Sequence, residues 1–228
     1  MSAAQQVRAN ITMYYDIVSP WSVIAFKVLQ RYHQKWDFEL RFQPISLGKV
    51  MQISGNKPPI TVNNKGKWMF QEIERVPAFY GVNLNKPQGF PMNTQLAQSF
   101  LRELRDRSSA DHDAYAWTLM DASWISSKPV VKAEDILEAV KHVGLIPQAE
   151  LEEILKKAQT KEAKDKLNEE SKRLVEDQGA FGMPWFIVKR ASDGKTASFF
   201  GSDRFEQIAA FMGEEYKGPF ADGRRARL

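Results

Sequence analysis

The chain of 228 residues is 43% hydrophobic and 26% charged, an ordinary composition for a globular protein. No apolar run approaches the roughly 20 residues that a membrane-spanning helix needs, so we expect no membrane span. The net charge of +4 is modest, and Lys and Arg alternate with Asp and Glu along most of the chain, a pattern that argues against a nucleic-acid-binding surface.

The chain contains no cysteine. Internal disulfides, thiolate metal sites and a dithiol redox centre are therefore excluded. The three histidines, His33, His112 and His142, lie too far apart in the sequence to suggest a set of metal ligands, and we expect each of them on a solvated helix face. We predict no metal site.

A change of period near Ser19 marks the first strand and the first helix. Residues 11–15 (ITMYY) are rich in β-branched and aromatic side chains, as in a buried strand, whereas apolar residues from Phe26 onward recur at helical spacing. Ser19 is suited to cap this helix, and Pro20 fits its first position. In thioredoxin-like proteins a Cys-x-x-Cys pair occupies the positions held here by Ser19 and Ser22, so a sulfur that reacts at this site must arrive on a ligand.

A second strand and a loop follow the first helix. Residues 38–43 alternate apolar and polar side chains, and they predict a strand that completes a right-handed βαβ unit with parallel strands. Residues 54–59 (SGNKPP) contain Gly, Asn and two Pro, which are typical of an ordered loop. This segment is either a plain connector or a binding loop in which Asn56 offers a donor and an acceptor.

From Lys65 to Gln178 the apolar residues follow a helical period, and no strand is indicated. We interpret the apolar stripes of this stretch as core and not as a cofactor-binding motif; the first two are Leu96, Phe100, Leu101 and Leu104, then Trp117, Met120 and Trp124. We predict an all-helical domain, residues 65–178, inserted into an α/β domain made of residues 1–64 and 179–228.

Strand character returns in residues 184–188 and 197–200, and the Ser-Asp-Gly turn between them predicts an antiparallel hairpin. A final helix follows, where Asp203 and Glu206 have the spacing of an N-terminal capping box. The order of elements predicts an α/β fold of the thioredoxin-like type with an inserted all-helical domain.

The last three residues, Ala226, Arg227 and Leu228, are similar to the Ser-Lys-Leu peroxisomal address. Pro219 and Gly223 predict an exposed arm that an import receptor can reach, and residues 1–10 lack the apolar region of a secretory signal. We expect a peroxisomal location, with a mitochondrial or cytoplasmic one as the alternative. The less favoured alternative is a basic tail that ends in Leu by chance.

Four segments carry a resemblance to a known family. They are residues 19–22 (SPWS), 54–59 (SGNKPP), 179–184 (GAFGMP) and 200–204 (FGSDR). Each is weak alone, but in this order they resemble the signature segments of kappa-class glutathione transferases, to which the bacterial 2-hydroxychromene-2-carboxylate isomerases are related. The similarity extends over nearly the whole chain, and it implies glutathione as co-substrate and a homodimer.

The resemblance implies that Ser19 is the catalytic hydroxyl that holds the glutathione sulfur. Met183, before a proline expected to be cis, would pair its backbone with the cysteinyl part of glutathione, and Ser202 and Asp203 would bind the γ-glutamyl end. Trp21 and Met183 depart from the usual residues of the family, which affects the shape of the electrophile pocket. The implied glutathione-binding positions are Ser19, Pro20, Trp21, Asn56, Lys65, Met183, Pro184, Ser202 and Asp203.

The implied activity is conjugation of glutathione to small electrophiles, as in detoxification, with a modest peroxidase activity on hydroperoxides. One alternative is a glutathione-dependent isomerase of hydroxychromene-type carboxylates. Another is a glutathione-binding or chaperone-like module without significant turnover. The alternative for Ser19 itself is a helix cap with no other role.

Overall fold

The computed structural model describes residues 7–226. The strands are Ala9–Tyr15 (β1), Phe38–Pro44 (β2), Trp185–Arg190 (β3) and Thr196–Phe200 (β4). The helices are Pro20–Tyr32 (α1), Leu47–Ser54 (α2), Asn63–Phe79 (α3), Gln95–Arg107 (α4), Ser109–Trp124 (α5), Ala133–Val140 (α6), Gln148–Ala158 (α7), Lys161–Gln178 (α8) and Phe205–Met212 (α9). A short 3-10 helix, Pro59–Thr61, precedes α3. Within residues 7–226, no helix has the length and apolar character needed to cross a membrane.

The strands form one mixed sheet in the order β2-β1-β3-β4. β1 and β2 run parallel, with Ala9 opposite Phe38, and α1 connects them, which confirms the predicted βαβ unit with parallel strands; its right-handed crossover stays a prediction. β3 is antiparallel to both of its neighbours, β1 and β4, so the predicted hairpin is also confirmed.

Alternate residues of β1 pack into the core beneath α1. Met13 and Tyr15 are fully buried. The Tyr15 ring meets Phe26 of α1 edge to face, with 5.9 Å between ring centroids, and Phe26 stacks on Phe42 of β2 at 3.8 Å. Because such aromatic pairs add directional attraction to the burial of apolar surface, they fix α1, and therefore its N-terminus, against the sheet.

The elements of residues 65–178 are all helices, as predicted, and this stretch contains no strand; α2, at residues 47–54, was not predicted from the sequence. The fully buried members of the first two stripes interpreted as core are Phe100, Leu101, Leu104, Met120 and Trp124. These side chains belong to the same hydrophobic cluster as Tyr15 and Phe26, so the helical segment shares its core with the sheet. The division into an α/β domain (1–64, 179–228) and an inserted domain (65–178) stays a prediction.

The start of α9 differs from the prediction. The helix begins at Phe205, its N-cap residue is Arg204, and that residue makes no side-chain capping bond. Asp203 lies one position too early to cap the helix, and its carboxylate instead pairs with the Arg204 guanidinium. The expected Asp203–Glu206 capping box is therefore wrong.

His112 also differs from the prediction. His33 and His142 are exposed, but His112 lies on α5 with 1% of its surface accessible. Because the Asp113 carboxylate can only accept hydrogen bonds, Nδ1 of His112 donates to it at 2.8 Å. Nε2 then accepts a hydrogen bond from the Tyr15 hydroxyl at 2.9 Å. The face of α5 that carries His112 thus packs on β1 and is not solvated.

Candidate active site

The turn between β1 and α1 carries the predicted nucleophile-binding serine. Ser19 is the N-cap of α1: its Oγ accepts from the Ser22 backbone N–H at 3.3 Å, and Pro20 follows as the first helical residue. This cap was predicted and is confirmed. Since unpaired backbone N–H groups make a helix N-terminus partly positive, the Ser19 hydroxyl lies where negative charge is stabilised.

The proton of the Ser19 hydroxyl is donated to another segment of the predicted site. Its acceptor is the backbone carbonyl of Met183, at 3.1 Å, and Ser19 is only 4% exposed. The Met183–Pro184 peptide bond is cis, as expected. The bond to Met183 is therefore a second role for the Ser19 hydroxyl beyond capping its own helix.

A cavity of about 730 Å³ opens beside Ser19. Six of the predicted site residues line it: Ser19, Pro20, Trp21, Asn56, Lys65 and Met183. This volume is within the range of roughly 300 to 1,000 Å³ that small-molecule sites occupy. The structure thus brings together three of the four segments singled out in the sequence, and Phe200 of the fourth also lines the cavity.

Pro184, Ser202 and Asp203 are outside the cavity lining. The Pro184 carbonyl accepts from the Gly201 N–H at 3.0 Å, which holds residues 200–203 beside the cis peptide. Ser202 is buried, whereas the Asp203 side chain is 64% exposed and paired with Arg204. For these three residues a direct role in ligand binding stays a prediction.

The loop at residues 54–59 is tied to the segment that precedes the cis-proline. The Asn56 Nδ2 donates to the Phe181 carbonyl at 2.7 Å, and Oδ1 accepts from the Lys57 N–H at 2.8 Å. Asn56 thus uses one donor and one acceptor inside the protein. An amide carries two of each, so the second N–H and the second lone pair can still serve a peptide-like ligand.

The wall of the cavity is apolar and its charged residues are mostly cationic. The apolar residues include Trp21, Leu47, Met51, Met69, Phe90 and Met92. Lys49, Lys57 and Lys65 also line it, and Asp16 is the one acidic residue among the described lining residues. Such a site can hold a small anion that carries a thiol next to an apolar electrophile.

Asp16 is a cavity residue that the sequence did not point to. It lies directly after β1, is 3% exposed, and its carboxylate accepts three hydrogen bonds. Burial raises the pKa of Asp16, and the hydrogen bonds from Thr94, Leu47 and Val18 act in the opposite direction. The one signal in the sequence was that a polar residue directly follows the carboxyl end of a predicted strand.

The helical segment supplies further residues of the site that sequence reasoning missed. Met69 of α3 and Phe90, Met92 and Thr94 of the connection to α4 line the cavity. Their approach to Ser19 depends on how the helices fold back over the sheet. No local pattern in the sequence reports such long-range packing.

The chain matches the family model of the DSBA-like thioredoxin domain over residues 10–213. Among proteins of known name it is similar to glutathione S-transferase kappa 1 of Rattus norvegicus, with 31% identity over 223 residues, 96% of this chain and 97% of the rat protein. It is also similar to glutathione S-transferase kappa 1 of Caenorhabditis elegans, with 32% identity over 209 residues, 89% of this chain and 90% of that protein.

Among solved structures the chain is similar to a 2-hydroxychromene-2-carboxylate isomerase. The TM-score is 0.73 and the identity 20%, over 90% of this chain and 94% of the isomerase. At this identity the likeness concerns the fold alone. It confirms the predicted thioredoxin-like architecture with its helical segment.

Proposed function

Because the chain belongs to the kappa-class glutathione S-transferase family, within the DSBA-like thioredoxin domain, we propose that it conjugates the thiolate of glutathione to small electrophiles. The observation that carries the proposal is the Ser19 hydroxyl at the N-terminus of α1, beside a cavity lined by Asn56, Lys65 and Met183. With serine at positions 19 and 22 and no cysteine in the chain, the reacting sulfur comes from the co-substrate.

The energetics of the site are sufficient for this chemistry. A free thiol has a pKa near 8.5, and lowering it by about two units requires about 2.7 kcal/mol. A hydrogen bond to a charged acceptor contributes about 1.5 to 3 kcal/mol, and a helix N-terminus about 0.3 to 2 kcal/mol. The Ser19 hydroxyl therefore stabilises the thiolate as a donor and need not ionise.

Binding of glutathione then involves an exchange of hydrogen bonds at Ser19. Its proton, which the Met183 carbonyl accepts in the structure, turns to the sulfur. The Met183 carbonyl becomes free to accept the N–H of the cysteinyl residue of glutathione. One rotation of a hydroxyl thus replaces a bond within the protein by two bonds to the co-substrate.

The reaction itself is a nucleophilic displacement or addition. The thiol proton leaves to solvent, and an electron pair of the sulfur forms the new carbon–sulfur bond. With a chloronitroaromatic substrate, chloride departs with the bonding pair. The apolar wall that includes Trp21, Met51 and Met92 receives the aromatic ring, because soft thioethers and aromatic side chains pack well against such rings.

The remaining glutathione contacts in this proposal are those that the family resemblance implies. Asn56 and Lys65 bind the peptide body and a carboxylate, and Pro184 supports Met183. Ser202 and Asp203 hold the γ-glutamyl end, with the carboxylate on Ser202 and the ammonium on Asp203. Since Asp203 is paired with Arg204, the ammonium competes with that guanidinium.

The proposal includes a homodimer and a peroxisomal location through Ala226, Arg227 and Leu228. Arg227 and Leu228 lie outside the described residues. A fluorescent protein that carries the last ten or so residues of the chain tests the address, with the final Leu removed as control. A mitochondrial or cytoplasmic signal contradicts it. Sedimentation of the full chain tests the dimer.

Purified protein with glutathione and a chloronitroaromatic substrate tests the activity. We expect turnover that depends on glutathione, and ultraviolet absorbance of the bound thiolate that titrates well below pH 8.5. Turnover only with a hydroxychromene carboxylate would favour the isomerase, and glutathione binding without turnover would favour the binding module. A hydroperoxide in place of the aromatic substrate measures the peroxidase activity.

A further inference from the structure

The turn that carries Ser19 is organised by Asp16. The Asp16 carbonyl accepts from the Ser19 N–H at 3.0 Å, and Oδ1 of the same residue accepts from the Val18 N–H at 3.1 Å. Backbone and side chain of one residue thus constrain the three residues that follow. The orientation of the Asp16 carboxylate is therefore coupled to the position of Ser19.

Two other segments fix that carboxylate. Oδ2 accepts from the N–H of Leu47, the first residue of α2, at 2.8 Å. Oδ1 accepts from the Thr94 hydroxyl at 2.6 Å. Asp16 and Thr94 are only 3% and 5% exposed, so this charge-assisted bond is formed away from solvent, where its loss is costly.

Thr94 does not cap its helix with its side chain, because its hydroxyl bonds to Asp16 instead. It is the N-cap residue of α4, where a threonine ordinarily accepts from a helical N–H, yet its side chain makes no capping bond. Its backbone has φ −93° and ψ 6°, which differs from the extended conformation of a capping residue, and its hydroxyl donates to Asp16. The side chain of this N-cap residue thus binds the Asp16 carboxylate and not a backbone N–H of its own helix.

The next turn of α4 also holds this segment. Gln98 is fully buried, and its Nε2 donates to the Tyr15 and Ile45 carbonyls, both at 2.8 Å. Its Oε1 accepts from the Ile17 N–H at 3.4 Å. Since Tyr15 and Ile17 flank Asp16, α4 contacts the turn before, at and after that residue.

We propose that Thr94 is a positioning residue for the thiolate-stabilising hydroxyl: through the Asp16 carboxylate it holds the turn in which Ser19 faces the cavity. The inference rests on the proposed glutathione chemistry. It assigns the helical segment a part in catalysis besides forming a wall of the cavity. A hydrogen bond to a thiolate weakens steeply with small displacements, so the position of the turn sets the pKa of the bound thiol.

The test compares Thr94→Val with Thr94→Ser in the full-length protein. We expect Thr94→Val to raise the pKa of the bound glutathione thiol by about 0.5 to 1 unit, which corresponds to a loss of thiolate stabilisation of about three- to tenfold. We expect kcat at pH 7 to fall about 1.5- to 3-fold, because a thiol pKa raised from about 6.5 leaves less thiolate, and the glutathione Kd at pH 5.5, where the thiol is protonated in both proteins, to change less than about twofold. Thr94→Ser keeps the hydroxyl and is expected to retain the wild-type thiol pKa.

Tyr115→Phe is the matched control for lost stability. The buried Tyr115 hydroxyl accepts from the Ile146 N–H at 2.9 Å within the helical segment, so the variant also removes a buried side-chain hydrogen bond. We expect it to lower Tm without changing the thiol pKa. If Thr94→Val does the same, its role is structural and the proposal is overturned.

The other outcomes are decisive as well. A fall in the thiol pKa in Thr94→Val would mean that Asp16 acts on the sulfur through its charge, and this would overturn the positioning role. If the valine methyl against the carboxylate prevents folding, Thr94→Ala leaves the space open and is expected to raise the pKa as stated. If wild type and Ser19→Ala bind glutathione with the same thiol pKa, the proposed function fails first; if they differ and Thr94→Val matches wild type, only the positioning role fails.

Discussion

The Ser19 hydroxyl and the Met183 carbonyl, 164 residues apart in the chain, are joined by a hydrogen bond of 3.1 Å at the edge of the cavity. The partners come from two of the segments that the sequence pointed to. In the proposed reaction the same hydroxyl turns its proton to the glutathione sulfur. We therefore expect removal of the Ser19 hydroxyl oxygen to have a larger effect on the reaction than removal of any other single side-chain atom of the site.

Ser19→Ala removes the donor to the thiolate. We expect the pKa of the bound thiol to rise from about 6.5 by about one to two units, so that the thiolate fraction, and with it kcat, falls about 3- to 25-fold at pH 7, while the glutathione Kd at pH 5.5, where the thiol is protonated, stays nearly unchanged. Thiolate absorbance and the pH–rate profile measure both effects. Wild-type turnover with a wild-type profile would leave Ser19 only its role as a helix cap.

Ser22→Ala is the matched control for that experiment. The Ser22 hydroxyl occupies the other position of the Ser-x-x-Ser pair, is fully buried, and has no hydrogen-bond partner among the described residues. We expect wild-type thiol pKa and turnover, with a slightly higher Tm, because an unpaired buried hydroxyl is destabilising.

Asn56→Ala tests the loop at residues 54–59. The change removes the bond to the Phe181 carbonyl and the remaining amide donor and acceptor of a residue that lines the cavity. We expect the Kd of glutathione to rise about tenfold, the effect of about 1.4 kcal/mol, in calorimetry. Ser54→Ala in the same loop is expected to remain within about twofold of wild type. If both substitutions change the glutathione Kd equally, the loop is a plain connector and not a binding loop.

Asp203→Ala and Arg204→Ala form an opposed pair. Asp203→Ala removes the expected partner of the γ-glutamyl ammonium, so glutathione affinity should fall by about tenfold. Arg204→Ala frees the Asp203 carboxylate from its present guanidinium partner, so affinity should rise. Calorimetry at low ionic strength measures both. Unchanged affinity in Asp203→Ala would place the ammonium elsewhere.

His112 makes stability depend on pH. Burial lowers the pKa of His112, against the opposing hydrogen bond and charge of Asp113. Below about pH 6.5, position 112 therefore binds up to one proton more in the unfolded chain than in the folded protein. The free energy of unfolding falls as the pH falls, by at most about 1.4 kcal/mol per pH unit, until the folded protein is protonated as well.

Urea denaturation at pH 7.5 and 5.5 measures this dependence. We expect His112→Gln to reduce the difference between the two pH values by about 1 kcal/mol. The exposed His33 is the control, and His33→Gln should preserve the wild-type difference. The same difference in His112→Gln as in wild type would assign the slope to other groups.

The fold was largely predictable because its signals are local. The change of period at Ser19, the Ser-Pro start of α1 and the turn of the hairpin each involve only neighbouring residues. The start of α9 was misjudged, since Asp203 and Glu206 have the right spacing but the backbone enters the helix one residue later, at Arg204. The residue types and spacing of a capping box can be read from the sequence, but the backbone conformation decides at which residue the helix begins.

The site was predictable only in part, because some of its residues belong to short local segments and others are brought together by long-range packing. Ser19, Asn56 and Met183 belong to short segments that carry a family resemblance. Asp16 and Thr94 are 78 residues apart, and their contact arises from packing of the helical segment on the sheet. His112 was misplaced because the sequence does not show which face of α5 meets β1.

The pair of serines at the start of α1 has a consequence for the conditions under which this protein works. A fold relative with two thiols at these positions changes covalent state with the reduction potential of its surroundings, whereas hydroxyls do not. An oxidising environment therefore forms no disulfide between these two positions. In the proposed reaction it lowers turnover by converting the reduced tripeptide to its own disulfide, and turnover returns when the thiol form is supplied again.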